Sequence, residues 1–359
     1  MRKTVSMPIF WLLLWDLAIS RPNYRHGLLP GIIALLLLSG CQSAAFYTQA
    51  TVGQSELLWH SRPIGEVLAD PQTPEGIRER LTLVESVRQF AGEVLALPAN
   101  RSYRRYVDIE RDFVMWNVFA AAEFSVEPEL FCYPIAGCVG YQGYFKKADA
   151  VAFANSLAVQ GFEISVGPVA AYSTLGWFAD PVVSSVLSYS DTDLAGLVFH
   201  ELAHERVYIK DDTTFNESFA TFVEREGTRR WLASSGQQAD IAGFEKIQLQ
   251  RDIVVDLIHK ARAELGALYV RGLGVEEMRW RKLAVFDQLQ ADYNEMRRAG
   301  DANDWGNWFD DNLNNAKLTS IGVYHDRVEF FEQLFERSNR NFEVFYRLVE
   351  QLGSLPLED

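Results

Sequence analysis

Two histidines spaced four residues apart place the strongest constraint on how this chain folds. His200 and His204 lie among apolar residues at helical spacing, after the segment Ser190-Asp191-Thr192-Asp193. That segment is a typical helix start, with a capping serine and acidic residues in the first turn. Residues four apart share one face of a helix. We therefore expect both imidazoles, with Glu201 beside them, on one face of a buried helix.

Two imidazoles and a glutamate in this arrangement are typical of zinc hydrolases. A catalytic zinc has three protein ligands and leaves its fourth position to water. The neighbouring glutamate then serves as general base. The motif predicts that His200 and His204 bind zinc and that Glu201 accepts the proton of the attacking water.

The third ligand has to come from elsewhere in the chain. The longer zinc motif needs a glycine and a histidine further along the helix, where Val207 and Lys210 stand instead. Glu217 is the better candidate, because it lies at the start of a second predicted helix, 216–226, that a short loop can fold back across the first. Ala220, one turn later, is small enough for the two helices to approach closely.

Several segments outside this motif resemble one known family. They are Phe199–His204, Phe215–Ala220, Cys132–Pro134 to Gly137–Val139, Gly143–Phe145, Ala171–Phe178 and Asn314–Ala316 through Tyr324. They resemble the bacterial putative aminopeptidase family of predicted lipoproteins, among the gluzincin-like zinc peptidases, and the likeness covers nearly all of the mature chain. The resemblance implies a zinc-dependent peptidase acting on peptides or proteins. It implies the ligands His200, His204 and Glu217 and the base Glu201. It favours aminopeptidase action, with endopeptidase action as the alternative.

Zinc peptidases usually add a hydrogen-bond donor that stabilises the developing oxyanion. Tyr324 is the first choice for that catalytic role, and His325, Tyr208 and Tyr172 are the alternatives. We interpret a group of aromatic residues as core or cleft wall: Tyr141, Tyr144, Phe145, Tyr172, Trp177 and Phe178.

The amino terminus predicts where the protein works. Basic residues between 21 and 26 precede an apolar run, 28–38, that ends in Leu38-Ser39-Gly40-Cys41. This resembles a bacterial lipoprotein signal and implies cleavage before Cys41, lipidation of Cys41 and attachment to a membrane through that lipid. Gln42 after the Cys, where an Asp is absent, resembles the outer-membrane sorting pattern of Gram-negative bacteria, which implies the outer membrane, facing the periplasm. A second apolar stretch, 8–15, indicates either a start assigned too far upstream or an uncleaved anchor.

Cys132 and Cys138 form an even pair once Cys41 is assigned to lipid. In an oxidising periplasm they are expected to close a small disulfide loop, with a buried reduced pair as the alternative.

The charge of the chain excludes some partners. The formal net charge is -14, and residues 1–40 contribute +3, so the remainder carries -17. An acidic body argues against nucleic-acid binding.

The pattern of apolar residues predicts a mainly helical α+β protein. After a leader, 1–40, we expect N-terminal helices in 42–100 and a zincin-like catalytic core with a small sheet in 101–236. A helical C-terminal lobe, 237–359, is expected to pack on that core.

Two functional classes fit the sequence. The first is a membrane-anchored zinc peptidase of the cell envelope. The alternative is a non-catalytic envelope lipoprotein with a structural zinc, which would have no need of Glu201 as a base.

Overall fold

The computed structural model confirms a mainly helical α+β protein. It describes residues 29–133, 137–171, 173–234, 236, 238–309 and 312–353, with the backbone alone for 29–44, 238 and 239. The chain divides into two units, with the boundary between Thr48 and Gln49. No helix in the described ranges is both long enough and apolar enough to span a bilayer. Residues 1–28 lie outside the described part, as does the side chain of Cys41.

The elements follow one another in a fixed order. The helices are α1 (Leu29–His60), α2 (Ile64–Ala69), α3 (Glu75–Glu93), α4 (Lys147–Val159), α5 (Asp191–Arg206), α6 (Thr213–Ser234), α7 (Gln238–Tyr269), α8 (Val275–Ala299), α9 (Asn315–His325), α10 (Val328–Arg337) and α11 (Phe342–Gly353). The strands are β1 (Arg62–Pro63), β2 (Arg105–Val107), β3 (Met115–Ala122), β4 (Phe131–Tyr133), β5 (Gly137–Val139), β6 (Gln142–Tyr144), β7 (Phe162–Val169) and β8 (Val182–Val183). The division of the chain into the three mature regions given above stays a prediction.

Helix α5 begins where its sequence predicts. The Ser190 side chain accepts a hydrogen bond from Asp193 N, at 3.1 Å. Asp191 and Asp193 supply negative charge to the first turn, where it complements the helix dipole. The helix ends at Arg206, because Val207 has extended backbone angles.

Helices α5 and α6 form a tight hairpin. Asn216 fixes the short loop between them, since its side chain accepts from Ile209 N at 2.7 Å and donates to Ile209 O at 2.6 Å. Gly196 lets the helices approach closely, because a Cβ there would lie 3.2 Å from both Glu224 Cγ and Thr228 Oγ1. The close approach thus depends on Gly196, beyond the small residue Ala220 that the sequence indicated.

A three-stranded antiparallel sheet, β6-β3-β7, lies ahead of this hairpin in the chain. Helix α9 is anchored to it through Asn315, which is fully buried. The Asn315 amide donates to the carbonyls of Ala122 and Glu123, and its backbone N–H donates to Glu163. The buried ammonium of Lys282 on α8 pairs with the same Glu163. These contacts fix the position of α9 and of the residues at its far end.

The main hydrophobic core packs the α5–α6 hairpin against its neighbours. It includes Phe199 of α5 and Phe219 of α6, both fully buried, together with the aromatic residues Phe331 and Phe345 of α10 and α11. A second core joins α7 and α8. The hairpin is therefore held rigidly on its apolar side.

Candidate metal centre

Three side chains of the α5–α6 hairpin converge on one point. His200 Nε2 and His204 Nε2 lie 3.2 Å apart. Glu217 Oε2 lies 3.3 Å from each of these nitrogens. The three atoms form a nearly equilateral triangle. A tetrahedral ion about 2.0–2.1 Å from each ligand gives ligand–ligand distances of roughly 3.3 Å. The cluster can therefore hold a metal ion.

The cluster is removed from solvent. His200, His204 and Glu217 have relative exposures of 9%, 8% and 5%. Burying such groups costs free energy unless they are paired or bind a metal. Burial raises the pKa of Glu217, but the two histidines outweigh it and hold that pKa well below the ordinary value. The carboxyl group is thus kept ionised, as a metal ligand must be.

His200 meets the requirement of a metal ligand for a free ring nitrogen. In His200 the other nitrogen, Nδ1, lies 3.0 Å from Glu224 Oε2. Nδ1 therefore carries the hydrogen when His200 is neutral, and the Nε2 lone pair faces the other two ligand atoms. Two Nε2 atoms at 3.2 Å cannot both be protonated without repulsion, whereas a shared cation between them relieves it.

Glu201 shares the same buried environment. Its exposure is 7%. Burial raises its pKa, while the charges of His200 and His204 lower it in part. A carboxylate with a raised pKa beside a metal position has the property needed to accept a proton from water.

Of the tyrosines considered from sequence, Tyr324 lies beside the cluster. Its ring centroid is 6.2 Å from that of His200. Burial, followed by the charges of Glu217 and Glu201, raises its pKa well above the ordinary value, so the hydroxyl keeps its proton. Tyr208 is also affected by the Glu217 charge, after burial, and its pKa is about 12. Tyr172 lies outside the described residues.

His325 has a different environment. Burial, followed by the charges of Arg225 and Arg251, lowers the pKa of His325 to about 3. Its Nδ1 has no hydrogen-bond partner in the part of the chain that the structure describes. A neutral imidazole at this site is consistent with a structural role beside α6.

Two residues of the site were not identified from sequence. Tyr141, interpreted as core or cleft wall, donates its hydroxyl hydrogen to Glu217 Oε1 at 3.2 Å. Glu224 contacts His200, as described. Glu224 follows Glu217 by seven residues, which is two helical turns on one face. That spacing is the signal that could have identified it. For Tyr141 no sequence signal exists, since it lies 76 residues from its partner.

Trp177 and Phe178 do not lie in the core, because 67% and 51% of their surfaces are exposed. A position in a cleft wall stays a prediction for both. The preceding Gly176 has a positive φ of 76°, which turns the backbone. The segment is held instead by Asp180, whose carboxylate accepts from Thr174 N at 2.7 Å and from Thr174 Oγ1 at 2.9 Å.

Cys132 and Cys138 form a disulfide between β4 and β5. The hairpin they close contacts the loop between α5 and α6. Cys138 N donates to Asp211 Oδ1 at 2.7 Å, and Gly140 N donates to Thr213 Oγ1 at 3.3 Å. The bridged hairpin therefore supports the segment that joins the two helices of the candidate metal centre.

The buried carboxyl group of Asp180 gives a pH-dependent prediction. Burial raises its pKa to about 7, against the hydrogen bonds of Thr174, and the charges of Glu205 and Glu201 add to the increase. Its pKa is thus higher in the folded than in the unfolded chain, so its contribution to stability is present at low pH and is lost as the pH rises towards 7. We expect Asp180→Asn to gain stability relative to the parent by roughly 1 kcal/mol per pH unit between pH 5 and 7.

Urea denaturation of both proteins at several pH values measures this difference. The difference is expected to level off above pH 7. A difference that does not change with pH would show that Asp180 titrates as an ordinary aspartate in the folded protein.

The fold and the cluster together define a mainly helical α+β protein with a buried His-His-Glu site that can hold a metal ion. The model of the family described as putative aminopeptidase matches residues 45–359. The chain belongs to this family. It matches no curated protein and no solved structure.

Proposed function

We propose that this protein is a zinc-dependent metallopeptidase with a zincin-like catalytic core. The observation that carries the proposal is the triangle of His200 Nε2, His204 Nε2 and Glu217 Oε2, with edges of 3.2–3.3 Å. Two nitrogens and one carboxylate oxygen are a ligand set that zinc uses in catalytic sites. Family membership supports peptides as the substrate class.

The residues divide the chemistry between them. When bound, the metal ion supplies Lewis-acid activation of water and of the peptide carbonyl. Glu201 accepts the proton of the attacking water and delivers it to the departing amine. Its buried position and raised pKa suit both steps, because the group must accept and then release a proton near neutral pH.

Tyr324 is the proposed donor to the oxyanion. Its hydroxyl stays protonated across the physiological range, because its pKa is well above the ordinary value. We expect Tyr324→Phe to lower kcat by about 10²–10³-fold with little change in KM, since the donor acts on charge that develops in the transition state. Steady-state kinetics on a peptide substrate measure this. Tyr208→Phe is the matched control, and a larger loss there would reassign the role.

We further propose aminopeptidase action, which the family description favours. An aminopeptidase requires a free terminal ammonium on its substrate. Pairs of peptides that differ only in N-terminal acetylation test this requirement. Equal cleavage of both members would indicate endopeptidase action. Loss of cleavage of every peptide in Glu201→Gln would assign the cleavage to this site.

The location of the protein is proposed from its amino terminus. We propose that acyl chains on Cys41 anchor the chain to the bacterial envelope, at the outer membrane facing the periplasm, where the catalytic unit acts on peptides. Mass spectrometry of the membrane-extracted protein tests the anchor. A mature peptide that extends upstream of Cys41 would contradict it.

A further inference from the structure

The three candidate ligands differ in whether a hydrogen-bond partner contacts them on the side that faces away from the metal position. His200 Nδ1 contacts Glu224 Oε2 at 3.0 Å. Glu217 Oε1 accepts from the Tyr141 hydroxyl at 3.2 Å. His204 Nδ1 is buried and has no hydrogen-bond partner among the described side chains and backbone groups. Two of the three ligands are thus supported by a second residue.

We propose that Glu224 and Tyr141 are positioning residues of the metal centre, an inference that rests on the metal-binding role proposed above. Glu224 accepts the Nδ1 hydrogen of His200 and so selects the tautomer in which Nε2 is free to bind metal. Tyr141 occupies Oε1 of Glu217 and leaves Oε2 facing the two imidazole nitrogens. Each residue selects which atom of its partner is the ligand atom.

The position of Glu224 is built into the helical hairpin. It lies on α6, where the absence of a side chain at Gly196 makes room for it against α5, since a Cβ there would be 3.2 Å from Glu224 Cγ. From that position Glu224 Oε2 lies 3.0 Å from His200 Nδ1, within hydrogen-bond distance of the ring nitrogen that faces away from the metal position.

The position of Tyr141 links the sheet to the metal centre. Tyr141 directly precedes β6, and its ring packs on Phe119 of β3 with a centroid distance of 5.6 Å. Packing of the ring fixes the direction of the hydroxyl. The hydroxyl thereby reaches Glu217 Oε1 on α6, to which it donates at 3.2 Å.

The zinc affinity of the purified protein and its variants tests the proposal without any substrate. Competition with a chromophoric zinc chelator gives the dissociation constant of zinc for the purified protein and for its variants. We expect Glu224→Ala to weaken zinc binding by about 10–100-fold, and Glu224→Gln less, because its amide oxygen can still accept. Tyr141→Phe is expected to weaken binding by roughly tenfold or less, since a neutral hydroxyl makes the weaker bond.

Glu226→Gln is the matched control. Glu226 lies on the same helix and is more buried than Glu224, with a side-chain exposure of 8% against 28%. It pairs with the arginines Arg229 and Arg230 and not with a ligand. Its replacement is expected to leave the zinc affinity unchanged. Thermal melting of the metal-free proteins shows whether each variant still folds.

Two spectroscopic signatures separate positioning from a purely structural role. In the zinc-loaded parent, the Nδ1 hydrogen of His200 is expected to give a downfield proton resonance that disappears in Glu224→Ala and persists in Glu226→Gln. The visible bands of the cobalt-loaded protein are expected to shift in Glu224→Gln and Tyr141→Phe.

The outcomes separate a failure of the proposed function from a failure of the positioning role. A parent that binds no zinc would overturn the proposed function and this inference with it. A parent that binds zinc, together with folded Glu224→Gln, Glu224→Ala and Tyr141→Phe variants of unchanged affinity and unchanged cobalt spectrum, would overturn the positioning role alone.

Discussion

Glu201→Gln is expected to lower kcat for peptide hydrolysis by about 10²–10⁴-fold, the usual contribution of a general base. Glutamine has nearly the size of glutamate but cannot accept the proton of the attacking water. Because Glu201 is only 7% exposed, a base on the protein surface cannot easily take over its role. Zinc content is expected to stay at that of the parent, because the three candidate ligands are unchanged. Steady-state kinetics and metal analysis of the same preparation measure both quantities.

The matched control for this variant is Glu264→Gln, an exposed glutamate on α7. It is expected to retain parental kcat and zinc content. Retention of full activity by Glu201→Gln in the same assay would exclude the proposed mechanism and favour the structural-zinc alternative if zinc is still bound. Loss of zinc along with activity would instead show that Glu201 supports the fold of the site.

His204→Ala is expected to abolish stable zinc binding. It removes one corner of the ligand triangle and leaves His200 and Glu217, which are too few for a zinc site of three protein ligands. Ligand binding stabilises a folded protein by about 4 kcal/mol when the ligand is present at a thousandfold excess over its Kd. We therefore expect added zinc to raise the Tm of the parent and to leave the Tm of His204→Ala unchanged.

His60→Ala provides the comparison for that experiment. His60 is exposed, and its ring contacts the carbonyl of Glu56 on the same helix. Its loss is expected to leave the zinc-dependent rise in Tm intact. If His204→Ala showed the same rise as the parent, the metal would have to bind elsewhere on the chain.

The hairpin of α5 and α6 was predictable because its signals are local. The Ser190 cap, the helical spacing of apolar residues and the four-residue separation of the histidines act within a few turns of one helix. Glu217 was reached by one further assumption, a short reversal of the chain, and Asn216 provides that reversal by its two hydrogen bonds to Ile209.

The supporting residues were not predictable, because their contacts depend on tertiary packing. Tyr141 directly precedes β6. It reaches Glu217 on α6 only because β6 pairs with β3. Glu224 has the correct helical spacing, yet several other acidic residues lie as close to the motif in sequence. Glu224 contacts His200 only because α5 and α6 approach each other closely at Gly196.

The ligand atoms of the metal centre come from one contiguous stretch, since His200 and Glu217 are only seventeen positions apart. The entropic cost of closing a chain segment grows slowly with its length and is small for a short one. Contacts between near neighbours also form early in folding. We therefore expect the three candidate ligands to assemble before α9 brings Tyr324 into place. On the function proposed above, an ion could then bind before the rest of the catalytic site is complete.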